Sequence, residues 1–299
     1  MEPHPRHLPP RTAVDEHRYA VLRDLVADGG VVVLSGAGMS TASGIPDYRG
    51  PDGMRRVQPM QHAEFAGSAA ARQRYWARAY TGWERFAAAG PNAAHEAVAR
   101  LQAGGVVVGI ITQNVDGLHQ RAGATDVVEL HGNLARVVCL DCGERYDRDQ
   151  VHDWLAAANP GFDPGTVGEV RPDGDVVLPE EAVRSFRAPR CLVCGNDRLK
   201  PDVVFFGGSV PKDVVDRAFS VTARADMLLV LGSSLQVMSG YRFVRRAARD
   251  GIPVGVVTRG QTRGDAEATV QLDALLDDVL PRLVRDVVGT RGAAGAATS

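Results

Sequence analysis

Short runs of β-branched and aliphatic residues recur along the chain and alternate with stretches of helical periodicity, the pattern of a parallel sheet with crossover helices. The clearest runs are residues 31–34, 106–111, 127–130, 203–206, 227–231 and 254–257. Their near-continuous apolar character predicts strands buried on both faces. Before the first run, Asp15 is placed to cap a helix that carries Val21, Leu22, Leu25 and Val26 on one face and ends near Gly29 and Gly30. The fold class predicted is α/β, a doubly wound parallel sheet. In such sheets ligands bind beyond the carboxyl ends of the strands, so the loops there carry the functional information.

Two regions break the alternation. Residues 51–90 place Arg72, Tyr75, Trp76, Ala79, Tyr80 and Trp83 at helical spacing and predict a helical insertion. Residues 134–204 hold all four cysteines, with a Pro-, Gly- and Asp-rich stretch at 159–175 that predicts a small inserted module with a long mobile loop. The expected organisation is a disordered tail at 1–14, a large domain formed by 15–133 and 205–289, the cysteine module at 134–204, and a disordered tail at 290–299 of small and polar residues.

Composition narrows the classes. A chain of 299 residues, 44% hydrophobic, can bury a sizeable core. A net charge of −2 supplies no general attraction for nucleic acid or an anionic membrane, so neither is an expected partner. No apolar run approaches the roughly 18 residues that span a bilayer, and the start, MEPHPRHLPPR, lacks the apolar core of a secretory signal. A cytoplasmic protein is expected, and in that compartment four cysteines point to metal rather than disulfides.

The chemistry gathers at strand ends. After the first strand comes Gly36-Ala37-Gly38, where missing side chains let backbone N–H groups approach a pyrophosphate. The third position of the usual dinucleotide fingerprint is Thr41 rather than glycine, so an ordinary dehydrogenase fits poorly. Later strands run into Thr112-Gln113-Asn114-Val115-Asp116-Gly117-Leu118-His119 and Glu129-Leu130-His131-Gly132. An imidazole titrates near working pH and can act as a general base. Of the eight histidines, His119 and His131 fall near the expected crevice, and position favours His131. Cys139-x2-Cys142 and Cys191-x2-Cys194 are each followed by glycine, the spacing of a closed four-thiolate zinc site with no open position for substrate, and hence a structural one.

GAGMSTASGIPDYR, TQNVDGLHQRAG, LHG, the paired CxxC motifs, KPDVVFFG and GSSLQVMSG together resemble the sirtuins, in family order and over roughly residues 15–285. RQRYWARAY and GSSLQVMSGYRF look most like the class II branch with the mitochondrial lipoamidase and ADP-ribosyltransferase-type members. The resemblance implies a Rossmann-like large domain, a small zinc-ribbon domain, and NAD consumed as a reagent. It implies removal of acyl groups from lysine in proteins or peptides, with His131 as base and Asn114 and Asp116 beside it. Gly36, Ala37, Gly38, Tyr48 and Arg49 would surround the phosphates and ribose, and Ser40, Ile45, Asp47, Asn114, Val115 and Asp116 the nicotinamide. Gln113 would hold the ribose. Gly232, Ser233 and Ser234, with Thr258, Arg259, Gly260 and Leu276, would meet the adenosine side. Val203, Val204, Phe205, Phe206 and Gly207 would pair with the substrate backbone as an added strand.

This chain departs from the family's common pattern at Tyr48, Gly208 and the loop 257–260. Tyr75 and Arg78 have the spacing with which desuccinylating members grip an acidic acyl chain, so removal of acidic or long acyl groups in preference to acetyl is expected, while on an amphipathic helix the same pair reads as a packed ring and a solvated cation. Protein ADP-ribosyl transfer, and a non-catalytic module that binds NAD or peptide, are the other readings of the same motifs.

Overall fold

The computed structural model describes residues 13–48, 58–168 and 171–296. Helix α1 (Glu16–Ala27) starts where the Asp15 side chain accepts the Arg18 N–H, and Leu22 and Val26 are buried along it. Strand β1 (Val31–Ser35) is buried at every position. Helices α2 (His62–Gly67), α3 (Ala69–Ala87) and α4 (Ala93–Ala103) precede β2 (Val107–Thr112), α5 (Leu118–Arg121) and β3 (Val127–Glu129). Next come β4 (Gly132–Cys139), β5 (Arg145–Asp147), α6 (Arg148–Ala158), α7 (Glu180–Ser185) and β6 (Leu199–Val203). The chain closes with α8 (Lys212–Thr222), β7 (Met227–Leu231), α9 (Met238–Arg249), β8 (Val254–Thr258), β9 (Val270–Asp273) and α10 (Leu276–Ala296).

Six strands form one sheet in the order β3-β2-β1-β7-β8-β9, parallel at every pairing. From β1 the chain winds outward through β2 to β3; after the inserted elements it returns to β7 on the other side of β1 and winds the opposite way. The strand order therefore reverses between β1 and β7, and the crevice beyond their carboxyl ends is where such a sheet binds ligands. Helices α1, α4 and α10 cover one face through Leu22, Val98, Leu101, Leu280 and Leu283. Helices α8 and α9 cover the other through Val221, Phe243 and Val244.

The second sheet is antiparallel, β5-β4-β6. Its core is shared with α2 and α3: Phe65, Tyr75, Trp76 and Trp83 pack with Val151, Leu155, Leu199, Val203 and Phe205. The Trp76 indole donates to the Leu199 carbonyl at 3.0 Å, and the Arg72 guanidinium joins the carbonyls of Phe65 and Ala66 to the Asp197 carboxylate. The helical insertion and the cysteine module are thus one packed body. Gly82 allows part of this closeness, since a Cβ there would lie 2.0 Å from the Gly174 carbonyl oxygen.

The structure departs from the sequence reading at four places. The apolar run 203–206 is not a strand of the parallel sheet: only Val203 is in a strand, at the end of β6, which pairs antiparallel with β4. Lys200 and Pro201 mask this strand in the sequence, yet Lys200 is buried, its ammonium donating to the Pro201 and Val203 carbonyls. Strand β9, VQLD, was not foreseen because its alternate polar residues lie at a sheet edge rather than between strands. The segment 290–296, expected to be disordered, continues α10. In the expected mobile stretch, Asp175 and the following Val176 are buried in the body formed with α3. Residues 1–12 and 297–299 lie outside the described residues.

Candidate active site

Two strand ends meet at the switch point through their glycines. The Gly36 N–H donates to the Leu231 carbonyl, and the Gly38 N–H to that of Gly232, at 2.9 and 2.8 Å. A Cβ on Gly36 would lie 2.7 Å from the Ser233 Cβ, and one on Gly38 would lie 2.9 Å from the Gly232 Cα. Gly232 has φ +60, a conformation that side chains disfavour. These contacts hold the loop after β1, where Ala37 opens a single 3-10 turn, flat against the loop after β7. Such a surface of backbone fits a pyrophosphate.

Beside it, the loop after β2 forms a polar cluster. Asn114 Nδ2 donates to the Gly36 carbonyl and to Ser40 Oγ, both at 3.0 Å, and Ser40 Oγ donates to Asp116 Oδ2 at 2.6 Å. Asp116 Oδ1 accepts the Leu118 N–H at 2.9 Å. Burial pushes the Asp116 carboxyl above its ordinary range, while these hydrogen bonds pull it back. The Val115 carbonyl accepts the Leu134 N–H, fastening this loop to β4, and Ile45 is buried nearby in the shared core.

His131 stands at the start of β4. Its Nδ1 lies 2.8 Å from the Gln113 carbonyl oxygen, which can only accept, so Nδ1 carries the proton and Nε2 is the ring's acceptor. Burial, aided by Arg242, lowers the imidazole below its ordinary value, and the bond to Gln113 opposes the shift. The ring is therefore neutral at pH 7. Gln113 is itself oriented, its Oε1 accepting from Ser233 Oγ at 2.7 Å.

The remaining predicted positions are each held by contacts of their own. Tyr48 packs edge-on against Phe206 at 5.7 Å between centroids; Arg49 lies outside the described residues. The Val204 N–H donates to the His131 carbonyl at 2.8 Å, and the Phe206 carbonyl accepts from His62. Gly207, at φ +77, turns the chain after them. Ser234 accepts the Arg263 N–H through its carbonyl. Thr258 ends β8, Arg259 pairs with Asp273 at 3.1 Å, and the Gly260 N–H also reaches Asp273, so this loop is tied to β9 beside Leu276 at the start of α10. Tyr75 is 1% exposed among Phe65, Trp76 and Phe205. Arg78 is half-buried in the field of Asp175 and Asp173, whose carboxyls burial raises, that of Asp175 to about 7.

His119 is not in the crevice. It lies beneath it, 1% exposed, with Nε2 2.8 Å from Ser35 Oγ and its ring edge-on to His95 at 5.0 Å. Sequence reasoning missed Ser35 and Thr112 as partners in this buried chain, and it missed Ser239, whose Oγ is 2.8 Å from His131 Nε2. Hydroxyls carry no periodic signal, and only the packing of α9 brings Ser239 to the histidine.

The four cysteine sulfurs lie within 4.8 Å of one another, with Cys139–Cys194 and Cys142–Cys191 at 3.6 Å. Zinc–sulfur bonds of about 2.3 Å in a tetrahedron require sulfur separations of about 3.8 Å, so donor type and spacing fit zinc. Each knuckle is closed by a glycine of positive φ, Gly143 and Gly195, whose N–H donates to the carbonyl of the first cysteine.

A doubly wound sheet with two glycine loops at its switch point, a neutral imidazole held by backbone, and a four-thiolate module define an enzyme that acts on a dinucleotide. Residues 36–239 match the Sir2 family. The chain belongs to that family, the sirtuins. It is 50% identical over 285 residues to NAD-dependent protein deacetylase 1 of Streptomyces coelicolor, covering 95% of this chain and 93% of the relative. It is 46% identical to the human mitochondrial NAD-dependent protein lipoamidase sirtuin-4, over 84% of this chain and 81% of that protein. Among solved structures, a Sir2 complex with a p53 peptide and NAD+ aligns with TM-score 0.72 and 30% identity, over 90% of this chain and 98% of the other.

Proposed function

We propose that this chain is an NAD-dependent protein-lysine deacylase that releases nicotinamide, free lysine and O-acyl-ADP-ribose, with His131 as its general base. The observation that carries the assignment is the fixed tautomer of His131: Nδ1–H is committed to the Gln113 carbonyl, and Nε2 faces α9 as an acceptor. NAD supplies a ribosyl carbon from which nicotinamide departs and to which the acyl oxygen of a modified lysine bonds. His131 Nε2 then takes a ribose hydroxyl proton, and the freed oxygen bonds to the acyl carbon. The bond from that carbon to the lysine nitrogen breaks with the amine taking up a proton, and water completes the acyl ester on ADP-ribose. Asn114, Ser40 and Asp116 offer an amide, a hydroxyl and a carboxyl to the nicotinamide, and Gly36, Ala37 and Gly38 the backbone to the phosphates. Gln113 faces the ribose, with Gly232, Ser233, Ser234, Thr258, Arg259, Gly260 and Leu276 on the adenosine side. Residues 203–207 receive the peptide as an added strand. The four cysteines hold one structural zinc.

The acyl chain favoured is a neutral one. Tyr75 is taken up by the aromatic core, which withdraws its hydroxyl from an acidic acyl chain and supports acetyl and longer neutral chains over succinyl and glutaryl. Mass spectrometry of acetyl-, lipoyl-, succinyl- and glutaryl-lysine peptides with NAD tests both claims. Turnover should favour the neutral acyl groups, and His131→Ala should lose about 100-fold or more while its zinc content and melting temperature hold. Equal turnover by His131→Ala would remove the histidine from the reaction, and preference for succinyl would overturn the acyl assignment.

A further inference from the structure

The imidazole nitrogen assigned to proton abstraction is already occupied. His131 Nε2 has a single lone pair, and Ser239 Oγ stands 2.8 Å from it. Because Nδ1–H is spent on the Gln113 carbonyl, the serine hydroxyl must be the donor. Ser239 is only 9% exposed, so water competes poorly for the bond. The hydroxyl is also held in place. It lies in the first turn of α9, and the adjacent Gly240 abuts the Gln113 side chain so closely that a Cβ there would be 2.5 Å from Nε2 of that amide. Gln113 is in turn fixed by Ser233. One amide residue therefore sets both ends of the contact, holding the imidazole through its carbonyl and the helix start through its side chain.

We propose that Ser239 is a positioning residue that caps His131 Nε2, so that a ribose hydroxyl must displace the serine hydroxyl before the base can act. The cap keeps the imidazole oriented and costs binding energy when a ribose takes its place. This inference rests on the assignment of His131 as base, and it is tested with ADP-ribose, which carries the ribose and both phosphates but undergoes no reaction.

Calorimetric titration of ADP-ribose into wild type, Ser239→Ala and Ser239→Thr separates the possibilities. Removing the hydroxyl frees the lone pair, so Ser239→Ala should bind ADP-ribose about two- to tenfold more tightly, the worth of one neutral hydrogen bond. Ser239→Thr keeps a hydroxyl and should bind like wild type. In turnover with an acetyl-lysine peptide, the gain should fall on KM for NAD and not as a rise in kcat. If Ser239→Ala melts too low to titrate, Ser239→Cys, with a similar shape and a much weaker donor, carries the same comparison. Unchanged or weaker binding by a folded variant without the hydroxyl would overturn the cap, as would equal tightening by Ser239→Thr. Failure of wild type to bind ADP-ribose would instead overturn the dinucleotide site itself.

Discussion

Single side chains in this protein do different work according to how they are solvated. His131 sits where a ligand can reach it. His95 and His119, in contrast, are sealed beneath the crevice, and burial lowers them to about 4 and about 3. Both are neutral in the fold, while in the unfolded chain they take up protons near pH 6.5. Between pH 6.5 and 4 the unfolded state thus binds more protons, so stability rises with pH and is lost as pH falls through this window. At pH 5 the penalty is about 2 kcal/mol for each ring. Melting temperatures between pH 7 and 5 should fall steeply for wild type and less so for His95→Gln. Parallel curves would mean that His95 is not buried as a neutral ring. His131 was legible as a candidate at this scale because an imidazole after a strand end is a chemical signal in its own right. Ser239 was not, since a hydroxyl in a helix acquires meaning only from what it faces.

Strands and loops act together at the switch point. The loops after β1 and β7 touch backbone to backbone, and no rotamer can relieve a side chain placed between them. Gly38→Ala would bring a Cβ within 2.9 Å of the Gly232 Cα and carbonyl oxygen, forcing the loops apart. We expect the KM for NAD to rise about tenfold or more, about 1.4 kcal/mol of binding. Gly67→Ala, at a helical glycine with nothing within 4 Å of the added carbon, should leave KM unchanged. Equal effects of the two substitutions would show that close approach is not what Gly38 provides. The strands β1, β7 and β8 were readable as unbroken apolar runs, as buried parallel strands must be. Strands β4, β5 and β6 were not, because β4 and β5 mix exposed or half-buried positions with buried ones and β6 contains Lys200 and Pro201, which read as polar and strand-breaking although the fold buries them.

Across the whole molecule, the cysteine module is not an appendage. Its three strands share a core with α2 and α3, and Arg72 and Trp76 bond across that boundary. Removal of the metal should therefore disturb the helices as well as the knuckles. A chelator at neutral pH, or Cys191→Ser, should release about one zinc per chain, shift the emission of buried Trp76 and lower the melting temperature, since a structural zinc contributes directly to folding. Unchanged emission and melting after complete zinc loss would show that the core holds without the ion. The sequence by itself determined the α/β class, the glycine loops at strand ends, the imidazole and the four thiolates, because apolar periodicity and reactive side chains are local properties of a chain. Only the tertiary structure decided that the strand order reverses between β1 and β7, that the helical insertion and the cysteine module form one body, and that His119 is buried while His131 meets Ser239. Those outcomes depend on contacts between segments distant in sequence, and such contacts are settled by packing.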